Sequence, residues 1–145
     1  MKLPEYVTKD EVKRVCRALK LRDWTKITKP AVTKKEAALI LKQVNAEKMP
    51  VPLEEFRRGL EVELEHGTMF RDANVTNNHP LLTGKIVLAH LKEMMDYYER
   101  LEVAELEGDL LKSAVKGNLT KIRKYLKRLA AARIELAGVE AKSLR

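Results

Sequence analysis

Residues 53–101 read LEEFRRGLEVELEHGTMFRDANVTNNHPLLTGKIVLAHLKEMMDYYERL, and the reading of this stretch decides the fold. Leu53, Phe56, Leu60 and Leu64 recur at helical spacing behind the Pro50-Val51-Pro52 break. A helix is expected with Pro52 in its first turn, Glu54 and Glu55 near the positive end of its dipole, and Gly67 as its C-terminal cap. A loop rich in Asn, Thr and Asp runs from Thr68 to His79, and Asn78 or His79 should cap a helix opened by Pro80. From Leu81 to Met95 the chain is apolar around most of a helical circumference, with Leu82, Ile86 and Ala89 on one side and Leu81, Leu88, Leu91 and Met95 on another. Such a helix is expected to be central and covered by its neighbours. Gly84 within it costs about 1 kcal/mol relative to Ala, which points to a close helix crossing.

Working outward, Thr8-Lys9-Asp10-Glu11 and Thr33-Lys34-Lys35-Glu36 both carry capping-box spacing. Val12, Val15, Cys16 and Leu19 follow the first, in a helix ending near Leu21; Ala37, Ile40, Leu41 and Val44 follow the second. Asp23 to Pro30 reads as a connection anchored in the core by Trp24 and Ile27. Toward the C-terminus, Tyr97, Leu101, Ala104, Gly108, Leu111 and Val115 keep helical spacing until Gly117-Asn118. A last helix is expected from Thr120 to Leu136, with Ile122, Leu126, Leu129 and Leu136 apolar and a tail after Gly138 that frays. The fold class is therefore all-α: a compact bundle of five to six helices with a basic C-terminal helix. Three regions follow: 1–31, an N-terminal helix and connection; 32–111, the core; and 112–145, a basic helical extension.

Charge is unevenly distributed along the chain. Residues 1–49 hold 13 Lys+Arg against 6 Asp+Glu, residues 50–111 hold 6 against 13, and residues 112–145 hold 10 against 2. Basic ends around an acidic middle suggest an anionic partner, or copies that associate through opposite patches. Two basic helices joined by a link also invite a helix-turn-helix reading, but the link is longer than the usual tight turn. The single cysteine, Cys16, excludes an internal disulfide and reads as a small core residue. The opening MKLPEYVTKDEV has no apolar signal-peptide core, and no run approaches the ~20 apolar residues of a membrane span. A cytoplasmic protein is expected, or one carried within a virion if phage-encoded.

The residues that can carry chemistry lie in the central stretch. Glu63 and His66 are three apart on one helical face, and His90 and Glu93 repeat the arrangement on the next helix. Such pairs can offer nitrogen and carboxylate ligands to iron or zinc, so these four are the candidate metal ligands. His66 stands at the end of its helix and His90 about ten residues into the next, roughly 15 Å along the axis, so a tight hairpin would not bring them together. Asp96, Tyr97 and Tyr98 are candidates to support the carboxylates, and Lys85 to pair with Glu61, Glu63 or Glu65. No phosphate-cradling glycine loop, Ser/His/Asp arrangement or cysteine nucleophile is present, so catalysis without metal is not expected. Lys121, Arg123, Lys124, Lys127, Arg128 and Arg133 on the last helix are candidates for binding an acidic protein or nucleic acid.

The same stretch resembles the domain of unknown function 5661 family. The matching words are Glu55-Phe56-Arg57-Arg58-Gly59-Leu60, Val62-Glu63-Leu64-Glu65-His66-Gly67, Asn74-Val75-Thr76-Asn77, Pro80-Leu81-Leu82-Thr83-Gly84-Lys85-Ile86, Leu88-Ala89-His90-Leu91 and Asp96-Tyr97-Tyr98. The resemblance covers roughly residues 33–105, leaving the first helix and the basic end as attachments. It implies occurrence in bacterial and phage or virus genomes and no established activity, which favours a non-enzymatic assembly role. Two departures stand out: His79 replaces an acidic residue, and Met95 replaces a proline before Asp96-Tyr97-Tyr98. The second leads us to expect a smoother junction between the fourth and fifth helices.

Overall fold

The computed structural model describes residues 4–144. Among the described residues there are six α-helices: α1 (Lys9–Ala18), α2 (Lys34–Val44), α3 (Leu53–Met69), α4 (Pro80–Glu93), α5 (Tyr97–Val115) and α6 (Leu119–Ser143). Short 3-10 turns occur at Trp24–Lys26 and Arg71–Ala73. The chain divides into two compact units, Met1–Glu93 and Met94–Arg145. That division falls where α4 ends, whereas the expected boundaries lie after residues 31 and 111.

In the first unit α2, α3 and α4 pack on one another, and α1 joins through α4 and the Trp24 turn. Val12, Trp24, Ala37, Ile40, Phe56, Leu60 and Val87 are each 0% exposed and form its centre. Thr8 caps α1, its hydroxyl accepting from the Glu11 N–H, but Glu11 does not complete the expected reciprocal box. Its carboxylate is taken by Arg14, at 2.7 and 2.6 Å. The helix stops at Ala18, short of Leu21, because Lys20 turns left-handed (φ 55°) and the Leu21 and Lys20 N–H groups close back on the Cys16 and Arg17 carbonyls. Cys16 is buried, and burial pushes its thiol up.

The capping box of α2 is complete, and Glu36 does more than cap. Its Oε2 accepts from the Thr33 N–H and hydroxyl, both at 2.9 Å, while Oε1 accepts from Arg22 Nε at 2.9 Å and from the Trp24 indole at 3.1 Å. Burial would raise this carboxyl, but the bonds from Thr33 and Trp24 and the charge of Arg22 outweigh it and hold Glu36 below the ordinary carboxylate range. Trp24 is an anchor as expected; Ile27 is only half-buried.

Three expectations for the central stretch are corrected. Gly67 does not end α3, which runs on to Met69 with Phe70 as cap. Its role is close approach: a Cβ there would lie 2.9 Å from Asn74 Nδ2 and collide with Asn78 Oδ1. Second, α4 is not covered all round. Thr83, Gly84, Val87, Leu88 and Leu91 are buried, but Lys85, Ile86 and Ala89 face solvent. Gly84 does mark the crossing, since a Cβ would sit 2.7 Å from Ile40 Cγ2 and 3.3 Å from Phe56 Cζ. Third, the junction after α4 is a break even without proline: Met94 to Asp96 leave the helix, and Asp96 caps α5 while Arg100 holds its carboxylate at 3.0 and 2.6 Å.

The second unit is the antiparallel hairpin of α5 and α6. Its turn joins two devices: Gly117 (φ 63°) and Asn118 return N–H bonds to the Ala114 and Ser113 carbonyls, and the Asn118 side chain then caps α6. Leu106, Leu129 and Ala132 form the buried seam, with Val103, Leu110 and Tyr125 beside it. On α6 the seam includes Leu129, as expected, but Leu126 is 50% exposed; on α5 it is not the line the sequence singled out, since Leu111 and Val115 are 66% and 81% exposed. Nor does α6 end near Leu136; it continues through Gly138 to Ser143, with Glu140 bonded to Arg100 at 2.8 Å.

Candidate functional site

Of the four residues proposed as metal ligands, the structure brings Glu63 and His90 together. Glu63 Oε1 stands 3.5 Å from His90 Nε2 across α3 and α4. The partner that reaches His90 is thus one turn before His66, which relieves the axial offset that kept the two histidines apart. His66 is exposed and shares with Glu63 a shallow cavity of about 130 Å³ under the Asn74–Asn78 loop. Glu93 is exposed at the end of α4. Among the described residues no group of three or more His, Cys, Asp or Glu side chains is placed to hold a metal ion. One carboxylate beside one imidazole is short of the ligand number that iron or zinc takes.

Lys85 is exposed and pairs with none of its three expected partners. Glu61 is held by Arg57 at 2.7 Å, and Glu63 is turned to His90. Asp96, Tyr97 and Tyr98 stand in the hairpin unit. Tyr97 and Tyr98 meet edge to face with ring centroids 5.1 Å apart, and Tyr98 is 1% exposed. His79 is the cap of α4: its Nδ1 accepts from the Leu81 and Leu82 N–H groups at 3.2 and 3.3 Å, and its carbonyl from Thr83 N–H at 2.9 Å. A ring nitrogen can accept only when unprotonated, and burial lowers the histidine's pKa in the same sense.

On α6, Lys121, Arg123, Lys124, Lys127, Arg128 and Arg133 are all exposed. Arg133 reaches Glu107 of α5 at 2.7 Å and Arg128 approaches Glu102 at 3.8 Å. The other four form no ion pair among the described residues. Leu119 and Ile134 are 69% and 75% exposed on the same helix.

The feature that sequence reasoning missed is a polar cavity of about 390 Å³ in the first unit. It is lined by Lys9 from the start of α1, Lys26 from the Trp24 turn, Arg71, and the asparagines of the loop before α4. Asn77 and Asn78 both adopt left-handed backbone (φ 48° and 59°), which asparagine tolerates better than most residues. Asn77 Nδ2 donates to the Val7 carbonyl at 2.7 Å and to Glu5 at 2.6 Å; Asn74 Nδ2 donates to the Gly67 carbonyl at 3.2 Å and to Asn78 Oδ1 at 3.0 Å. The asparagine-rich loop was visible in the sequence, but three cations at positions 9, 26 and 71 share no spacing.

Fold and site together define an all-helical protein in which a multi-helix unit with an asparagine-walled polar cavity is followed by a charged helical hairpin. No helix among the described residues is long and apolar enough to cross a membrane. The chain belongs to the family described as Protein of unknown function (DUF5661), whose model matches residues 12–107. That span takes in most of α1, so the first helix is part of the family region and not an attachment to it; α6 lies beyond the match. No curated protein and no solved structure matches the chain.

Proposed function

We propose that the protein is a non-enzymatic interaction module that joins a larger assembly through its C-terminal hairpin, α6 docking on an acidic protein surface such as the acidic middle of another copy. The observation that carries this reading is the α6 surface, where four cations that form no ion pair among the described residues lie among exposed Leu119, Leu126 and Ile134. Exposed apolar side chains rimmed by charge are what a protein contact buries. The hairpin already uses the required chemistry on itself, through Arg128 with Glu102, Arg133 with Glu107 and Arg100 with Glu140. The same pairing between copies would be self-complementary, as the isologous interface of a twofold dimer requires. A phage or mobile-element particle is the kind of assembly the family resemblance favours.

The test is light scattering on the whole chain beside a variant with Lys121, Lys124 and Lys127 changed to Glu. A discrete oligomer that the variant loses while keeping its helical circular dichroism is the expected result. A concentration-independent monomer that binds nucleic acid with a steep salt dependence would overturn it in favour of phosphate contacts by the same cations.

A further inference from the structure

We propose that the asparagine-walled cavity of the first unit binds the phosphoryl group of a small soluble ligand, with Lys9, Lys26 and Arg71 as its cationic contacts. The volume of about 390 Å³ lies within the range of small-molecule sites. What distinguishes the site is its charge. Its three cations come from three separate segments, and no carboxylate is among its described lining residues. Among the described residues Lys9 and Arg71 form no ion pair, and Lys26 has only Asp23, at 4.0 Å. Bringing three positive charges to one concavity is unfavourable unless an anion offsets it, and it concentrates anions there. A carboxylate monoanion would be matched by one arginine, whereas three cations suit a phosphoryl group bearing two or more charges.

The wall supplies a neutral donor as well. Asn78 is 7% exposed and lines the cavity. Its Oδ1 accepts from Asn74 at 3.0 Å, which fixes the amide's orientation, and its Nδ2 has no hydrogen-bond partner among the described residues. Asn78 has left-handed backbone, and Gly67, where a Cβ would collide with its Oδ1, leaves the room that the amide occupies. Lys9 opens α1, whose N-terminal end adds partial positive charge to the same rim.

The experiment is calorimetric titration of the full chain with sodium pyrophosphate, and separately with sodium citrate as a carboxylate polyanion, at about 0.15 M salt. Saturable binding of one pyrophosphate per chain is expected, weakened about tenfold or more in R71A and in K9A, and unchanged in K35A, an exposed lysine on α2 outside the cavity. Absence of saturation, equal weakening by K35A, or citrate binding as tightly as pyrophosphate would each overturn the assignment. Because all three variants change exposed side chains, circular dichroism of each should match the parent. The proposal stands or falls separately from the hairpin reading, since none of these residues lies on α6.

Discussion

His79 and Gly84 show how much single residues carry here. His79 caps α4 only while Nδ1 is unprotonated, and its surroundings lower its pKa below the ordinary value, chiefly through burial, with Glu11 opposing in part. The unfolded chain therefore takes up the proton first as pH falls. Stability is full above about pH 6.5 and declines below it toward the lowered folded value. His79→Asn keeps a capping oxygen that does not titrate, so the urea midpoint of the variant should fall less between pH 7.5 and pH 5 than that of the parent. An identical fall in both would place the titrating group elsewhere. Gly84→Ala trades a gain in helix propensity of about 1 kcal/mol against a Cβ 2.7 Å from Ile40. Overpacking costs of about 1–3 kcal/mol should win, lowering the thermal midpoint by several degrees in a scanning melt.

At the scale of elements, Glu36 ties the capping box of α2 to Trp24 and Arg22, so one carboxylate fixes the chain between α1 and α2. Glu36→Gln removes the charge and one acceptor and leaves the buried indole N–H less well satisfied. A loss of roughly 1–3 kcal/mol in urea unfolding with an unchanged m value is expected. The parent's advantage is present above the ordinary carboxylate pKa and lost as pH falls through the lowered one, so the two proteins should converge toward pH 3. The Thr8 and Thr33 caps were legible because they depend on residues three apart, but only the α2 box closes, since Arg14 takes the Glu11 carboxylate. The Gly67 cap was misread because a local rule cannot see that Asn74 and Asn78 come to rest against that glycine. On α5 the misreading has a different cause. Leu101, Ala104, Gly108, Leu111 and Val115 form a helical line as regular as the buried one through Val103, Leu106, Leu110 and Ser113, and only the position of α6 decides which is covered. The Glu63–His90 contact was half legible: the residues stood out, but the turn of α3 that meets His90 depends on how α3 and α4 pack.

For the molecule as a whole, an acidic middle and a basic end on one chain leave α6 with more cations than α5 can neutralise. Exposed Leu111, Val115 and Leu119 near the hairpin turn add apolar surface that water covers poorly. A contact built from both should be strong at low salt and should keep an apolar component when salt screens the charges. The most direct measurement is light scattering with sedimentation on the 16.6 kDa chain, at about 0.05 and 0.5 M salt, beside the variant with Glu at positions 121, 124 and 127. A discrete oligomer that weakens with salt, and that the folded variant cannot form, is the predicted result. A parent that stays monomeric at every concentration and at both salt levels, indistinguishable from the variant, would contradict it.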